Sequence, residues 1–131
     1  MNRMWKFIGS RAHAFQHAFR GLWYVLRTQR NAWIHAIVTL LVVLVAIWLD
    51  LSLRDWAVLV LTIAMVWTAE FINTSLEAIV DLASPQNHPL AKVGKDVGAA
   101  AVLIAALTSI MVGLLILGPP LWDKITSLSA W

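Results

Sequence analysis

Cysteine is absent from the chain, which excludes disulfides, cysteine-ligated zinc and cysteine nucleophiles. Charge is scarce as well. Of 131 residues 13% are charged and 60% are apolar, far from the average soluble domain, so the surrounding solvent is expected to be lipid. No acid precedes Asp50. There is no HExxH, no glycine-rich phosphate loop and no GxSxG, and neither an internal repeat nor a low-complexity segment stands out. No cleavable leader is expected. The basic start is too long, and no short apolar core is followed by a small-residue cleavage site.

What is present is organised by charge. The net charge is +3, and six of the ten basic residues are Arg3, Lys6, Arg11, Arg20, Arg27 and Arg30. Beside so much apolar sequence, a basic start marks the cytoplasmic membrane face rather than a nucleic-acid partner. Residues 1–30 place Phe7, Ile8, Phe15, Phe19, Leu22, Trp23 and Leu26 among Arg, His and Gln at roughly helical spacing. This predicts an amphipathic helix lying in the interface plane, with a break near Gly9 or Gly21.

Three apolar stretches follow. "WIHAIVTLLVVLVAIWL" (33–49) carries no charge and is long enough to cross about 30 Å of hydrocarbon. "DLSLRD" (50–55) is a polar turn. A second helical pattern runs over 56–83, longer than a membrane needs, so its end should project into the cytosol. "SPQNHP" (84–89) breaks it with turn chemistry. A third helix is expected over 90–118, ended by Pro119 and Pro120. The fold class is thus an all-α integral membrane protein, one domain over 1–131, with a surface helix and three transmembrane helices. Basic residues at 1–30 and 84–95 put both on the cytoplasmic side, so the N-terminus is cytoplasmic. Trp48, Trp56 and Trp122 would form an outer belt, with Trp23 and Trp33 inside. Trp67 fits no belt and should pack against another helix.

Within the second span, Glu70, Asn73, Glu77 and Asp81 follow at steps of three, four and four, which puts them on one helical face. Counting from Trp56 at about 1.5 Å per residue, Glu70 lies about 9 Å inside the apolar slab. Glu77 lies at its inner surface and Asp81 beyond it in water. An acid at Glu70's depth is costly and is a functional hypothesis by default; it suits a proton acceptor. Glu77, nearer water, is suited to a divalent cation such as Mg²⁺, which takes one or two carboxylates and fills its shell with waters and phosphate oxygens. Lys92 and Lys95, beside Asp96, open the third helix, where unpaired N–H groups and the dipole attract anions. Together these make a phosphate site at the membrane's inner edge. "GAAA" (98–101) carries no bulk and lets the third helix approach the second.

Each element also has a plainer reading. Glu70 could pair with a buried Lys or His in a bundle; Glu77 and Asp81 could be a solvated helix end; Lys92 and Lys95 could be charge anchors. His13 and His17, four apart, have the spacing of metal ligands, but nothing nearby completes a set, and surface histidines are expected. His35 and His88 read as polar groups at an interface.

"EFINTSLEAIVD" followed by "NHPLAKVGKDVGAAAVL", with "RNAWIHA" (30–36) and "WLD" (48–50), resembles the small prokaryotic integral-membrane diacylglycerol kinase family, which includes undecaprenol kinases. The match covers roughly residues 20–118. The resemblance implies a surface helix plus three transmembrane helices per subunit, a homotrimer with active sites shared between subunits, and a place in the bacterial inner membrane. It implies transfer of the γ-phosphoryl of ATP to a lipid alcohol, with Mg²⁺. By motif, Glu70 is similar to the catalytic base and Glu77 to a metal ligand within the nucleotide-binding set. Asn73 resembles an active-site and nucleotide contact, and Lys95 and Asp96 resemble nucleotide-binding positions. Asp81 and Lys92 are further motif positions. Many members carry Glu where Gln29 stands, as a second metal ligand; Gln offers a neutral oxygen without charge.

The resemblance puts diacylglycerol first as substrate, as the family activity, with undecaprenol close behind, because apolar contacts discriminate only weakly between the two. A proton-coupled transporter is the alternative of another class. It would require polar residues near the midplane of more than one span. A non-enzymatic membrane assembly factor is a third.

Overall fold

The computed structural model describes residues 2–86 and 88–129, with side chains from His13 onward. The side chains of Arg3, Lys6, Phe7, Ile8 and Arg11, and Asn87 of the turn, lie outside the described residues. Four helices account for nearly all of it: α1 (Asn2–Thr28), α2 (Arg30–Trp48), α3 (Leu53–Ala83) and α4 (Pro89–Leu128). By length and composition α2, α3 and α4 can each cross a membrane. Their surfaces agree. Leu41, Leu61, Leu103 and Leu115 are all exposed, and a chain that leaves so many large apolar side chains uncovered is built for an apolar solvent.

Local chemistry sets the ends. At Gln29 the backbone turns extended, with φ −102 and ψ 118, and separates α1 from α2. The expected break at Gly9 or Gly21 is not observed. A lone glycine costs a helix only about 1 kcal/mol, and at Gly21 no neighbouring atom approaches closely enough to require a missing side chain. α2 ends in a Schellman motif: Leu51 N donates to Ala46 O at 3.3 Å and Asp50 N to Ile47 O at 3.1 Å. Asp50 occupies the left-handed region at φ 55, which Asp tolerates better than most residues. Ser52 caps α3, accepting from Asp55 N at 3.3 Å while its hydroxyl donates to the Asp55 carboxylate at 2.7 Å. His88 caps α4, its Nδ1 accepting from Leu90 N at 3.2 Å, with Pro89 in the first turn where a missing N–H costs nothing.

The expected end of the third helix at Gly118 is also not observed: α4 runs through Pro119 and Pro120 to Leu128. Proline's fixed φ is itself helical. What it removes is an N–H donor to the preceding turn, and such losses are tolerated in spanning helices where other groups satisfy the carbonyls. The extension is held by Lys124, whose Nζ donates to Trp48 O at 2.7 Å and lies 5.0 Å from the centroid of the Trp48 ring. Lys124 thus caps the carbonyl end of α2. Lys124→Met should lower the melting temperature in detergent by the equivalent of about 1 kcal/mol and leave turnover unchanged.

α3 and α4 pack antiparallel along most of their length, and α2 lies against α3. Small side chains set the closest approach. Gly98 is buried, and a Cβ built on it would overlap Asn73 Oδ1; at Gly94 the nearest atom to such a Cβ is Val80 Cγ2 at an ordinary 3.6 Å. Gly98→Ala should therefore destabilise the fold by about 1–3 kcal/mol through overpacking. Gly94→Ala should be neutral or stabilising. Thermal unfolding of the two variants side by side checks the contrast.

Candidate active site

Because α3 is continuous, the three-four-four spacing of its polar residues holds them on one face. Exposure rises along it. Glu70 is 1% exposed and Asn73 7%, Glu77 is half-buried and Asp81 is exposed. The gradient runs from the packed interior of the span to its open end, where α3 gives way to the connection to α4.

Two clusters form on this face. In the first, Glu77 is gripped by two amides: Asn73 Nδ2 donates to Oε1 at 3.0 Å and Gln29 Nε2 to Oε2 at 3.2 Å. The break between α1 and α2 is what lets Gln29 reach across. In the second cluster, Asp81 pairs with Lys95 at the mouth of a cavity of about 470 Å³ between the end of α3 and the start of α4. Lys92, Lys95, His88 and Ser84 are among its lining residues. A cleft with two ammonium groups at a helix N-terminus can hold a polyphosphate. Asp96 is exposed and is not among the residues lining this cavity. The structure brings Gln29, Asn73 and Glu77 together, and Asp81, Lys92 and Lys95 together, and leaves Asp96 outside both groups.

Glu70 sits about two helical turns deeper than Glu77. Its carbonyl accepts from Thr74 Oγ1 at 2.9 Å, and its Oε2 faces His35 Nε2 on α2 at 3.8 Å. The polar group that His35 was expected to present at an interface is instead turned inward onto the acid. Trp67 packs against α2 as expected. Its Nε1 donates to Thr39 Oγ1 at 3.3 Å, and its ring meets the edge of His35 with centroids 6.4 Å apart. One regularity would have revealed His35. In an antiparallel helix pair, partners along the seam have residue numbers of nearly constant sum. The partners Gln29 and Glu77, His35 and Glu70, and Thr39 and Trp67 have numbers that sum to 106, 105 and 106.

No group of three or more His, Asp or Glu side chains is poised around one point among the described residues. The Glu77 cluster still fits a hard cation that arrives with phosphate. It offers one carboxylate flanked by two amides, each of which presents an oxygen after a half-turn, and Mg²⁺ takes the rest of its shell from waters and phosphate oxygens.

Residues 16–117 match the family model described as prokaryotic diacylglycerol kinase. The chain belongs to this family. Among its relatives are an undecaprenol kinase of Bacillus subtilis, 40% identical over 82% of this chain and 88% of that protein, and a diacylglycerol kinase of Synechocystis, 43% identical over 82% of this chain and 62% of that protein. A diacylglycerol kinase of Escherichia coli is 31% identical over 74% of this chain and 85% of its own length. Membership makes the chain a membrane-embedded lipid-alcohol kinase with ATP as phosphate donor. It removes the transporter and assembly-factor alternatives.

Proposed function

We propose that this protein phosphorylates diacylglycerol to phosphatidic acid at the cytoplasmic face of the inner membrane, using Mg²⁺-ATP and direct in-line transfer. The observation that carries the reading is the graded face of α3, which joins a buried acid at the level of the span to a polar cluster and an ammonium-lined cleft at its open end. ATP enters that cleft, with its phosphates toward Lys92 and Lys95 and with Asp81 at its wall; Asp96, exposed outside the cleft, would meet only a part of the nucleotide that projects beyond it. Glu77, with Asn73 and Gln29 turned to offer oxygens, would hold Mg²⁺, which when bound neutralises charge on the phosphates. Glu70 accepts the proton of the lipid hydroxyl as that oxygen attacks the γ-phosphorus. Positioning and electrostatics supply most of the acceleration in such reactions.

The N-terminus is cytoplasmic on this reading, and α1 lies in the interface plane. Phe15, Phe19 and Trp23 on α1 are exposed and would enter the acyl region while Arg20 and Arg27 meet lipid phosphates. Neighbouring copies in a homotrimer complete the sites.

Undecaprenol is the second reading, favoured by the Bacillus subtilis relative, which matches along 88% of its length. Purified protein incubated with γ-labelled ATP, Mg²⁺ and each lipid separately decides between them. Label in phosphatidic acid supports the first reading and label in undecaprenyl phosphate the second. Label in neither lipid would refute both.

A further inference from the structure

We propose that the reacting hydroxyl is received between His35 Nε2 and Glu70 Oε2, reached from the apolar cavity lined by α2, α3 and α4, so that His35 is a second catalytic contact to the lipid oxygen. The inference rests on the reading of Glu70 as the base and adds the residue that holds what the base deprotonates.

Both atoms are buried and neither has a hydrogen-bond partner. Buried polar atoms without partners are rare in folded proteins, and each asks for the group that completes it. The two face each other at 3.8 Å, too far for a hydrogen bond between them. The gap is wide enough that one oxygen, set to the side of the line joining them, reaches each at about 2.8 Å. A hydroxyl has one hydrogen to give and lone pairs to receive, so it can donate to the carboxylate while accepting from an imidazole N–H.

His35 also belongs to a second environment. It lines a cavity of about 400 Å³ whose walls include Val38, Val42, Val66 and Leu117. The space is open on the α4 side: a Cβ built on Gly113 or Gly118 meets nothing within 4 Å. Along α2 the lining runs from His35 to Val45, a rise of about 15 Å. A hydrocarbon chain laid in this space puts its polar end beside His35, and Glu70, which does not itself line the cavity, is reached across the 3.8 Å gap from the imidazole. The imidazole is held in place for the task by its T-shaped contact with Trp67, itself tied to Thr39.

The step balances without an added reactant. The lipid O–H bond breaks and its proton passes to the Glu70 carboxylate. The oxygen's electron pair forms the new bond to the γ-phosphorus. The bond from that phosphorus to the β–γ bridging oxygen breaks and ADP leaves. His35 keeps its proton throughout and holds the oxygen through its N–H as negative charge develops.

The test uses the full-length protein in mixed micelles with dioleoylglycerol and, separately, undecaprenol. His35→Phe keeps a ring against Trp67 and removes the N–H; it should lower kcat/KM for the lipid about tenfold or more while KM for ATP stays within about twofold. His35→Gln, whose amide N–H reaches the same region, should retain at least about three times the activity of His35→Phe. Gly113→Leu, which fills the cavity, should raise KM for the long-chain lipid and leave KM for ATP unchanged. A His35→Phe enzyme within about twofold of wild type, one whose defect lies in KM for ATP, or a His35→Gln enzyme no better than it would each overturn the role of His35. An unchanged lipid KM in Gly113→Leu would overturn the route through the cavity. Glu70→Gln is run alongside. If it is inactive while His35→Phe is wild-type-like, only this inference fails; if Glu70→Gln is itself active, the reading of Glu70 fails first.

Discussion

Glu70→Gln should reduce kcat by about 10²–10⁴-fold, the usual contribution of a positioned general base, with ATP–Mg²⁺ affinity unchanged. The amide has nearly the shape of the carboxylate, and the Thr74 hydroxyl bonds the backbone carbonyl of residue 70, not its side chain, so helix packing should survive. Stability carries the discriminating sign. An acid that is 1% exposed, without a hydrogen-bond partner for Oε2, is expensive to keep in an apolar span. A neutral amide should leave the melting temperature equal or higher. An enzyme that loses turnover while holding or gaining stability has lost a group kept for chemistry. Turnover in micelles, calorimetric ATP titration and a thermal scan on the same preparation supply all three readings. Wild-type-like turnover would reject the assignment.

The second large effect concerns the metal. Glu77→Gln removes the carboxylate at the centre of the amide cluster, so the Mg²⁺ concentration for half-maximal activity should rise at least about tenfold. An unchanged metal titration would remove Glu77 from the site. Gln29→Glu should move the opposite way. Gln29 Nε2 now donates to Glu77 Oε2 at 3.2 Å. Replacing it by Glu deletes that bond and sets two carboxylates face to face, which is unfavourable without a cation. The variant should be less stable than wild type in chelator and should reach half-maximal activity at lower Mg²⁺. The paired outcome separates a metal-ligating position from a merely structural one, which would lose stability in both conditions.

Much of this architecture could be read along the chain because the signals that reveal it are local. Apolar runs disclose α2, α3 and the body of α4, and the small residues at 98–101 anticipate the close approach that Gly98 makes to Asn73. The polar face of α3 follows from spacing alone once the helix is continuous. What escaped depends on partners distant in sequence. Pro119 and Pro120 promise an ending, yet the helix continues to Leu128 and Lys124 ties its extension to the carbonyl end of α2. Two glycines suggest a break in α1, but the chain turns at Gln29, whose side chain reaches Glu77 on another helix. His35 looks like an isolated interfacial histidine until the register of α2 against α3 brings it to the depth of Glu70. Such register is a property of the helix pair: the bounds of the 50–55 turn sum to 105, as do His35 and Glu70, but the match emerges only when the two helices are taken together.

The absence of cysteine makes the decisive measurement clean. Single cysteines introduced as Glu70→Cys, Asn73→Cys, Glu77→Cys and Asp81→Cys, in inside-out membrane vesicles, report depth through their rate of reaction with a membrane-impermeant maleimide. If the polar face of α3 leads from the lipid interior to the cytosol, labelling should be fastest at Asp81→Cys, slower at Glu77→Cys, and slowest at Asn73→Cys and Glu70→Cys. Equal rates at Glu70→Cys and Asp81→Cys, or an Asp81→Cys protein that resists the reagent, would contradict it.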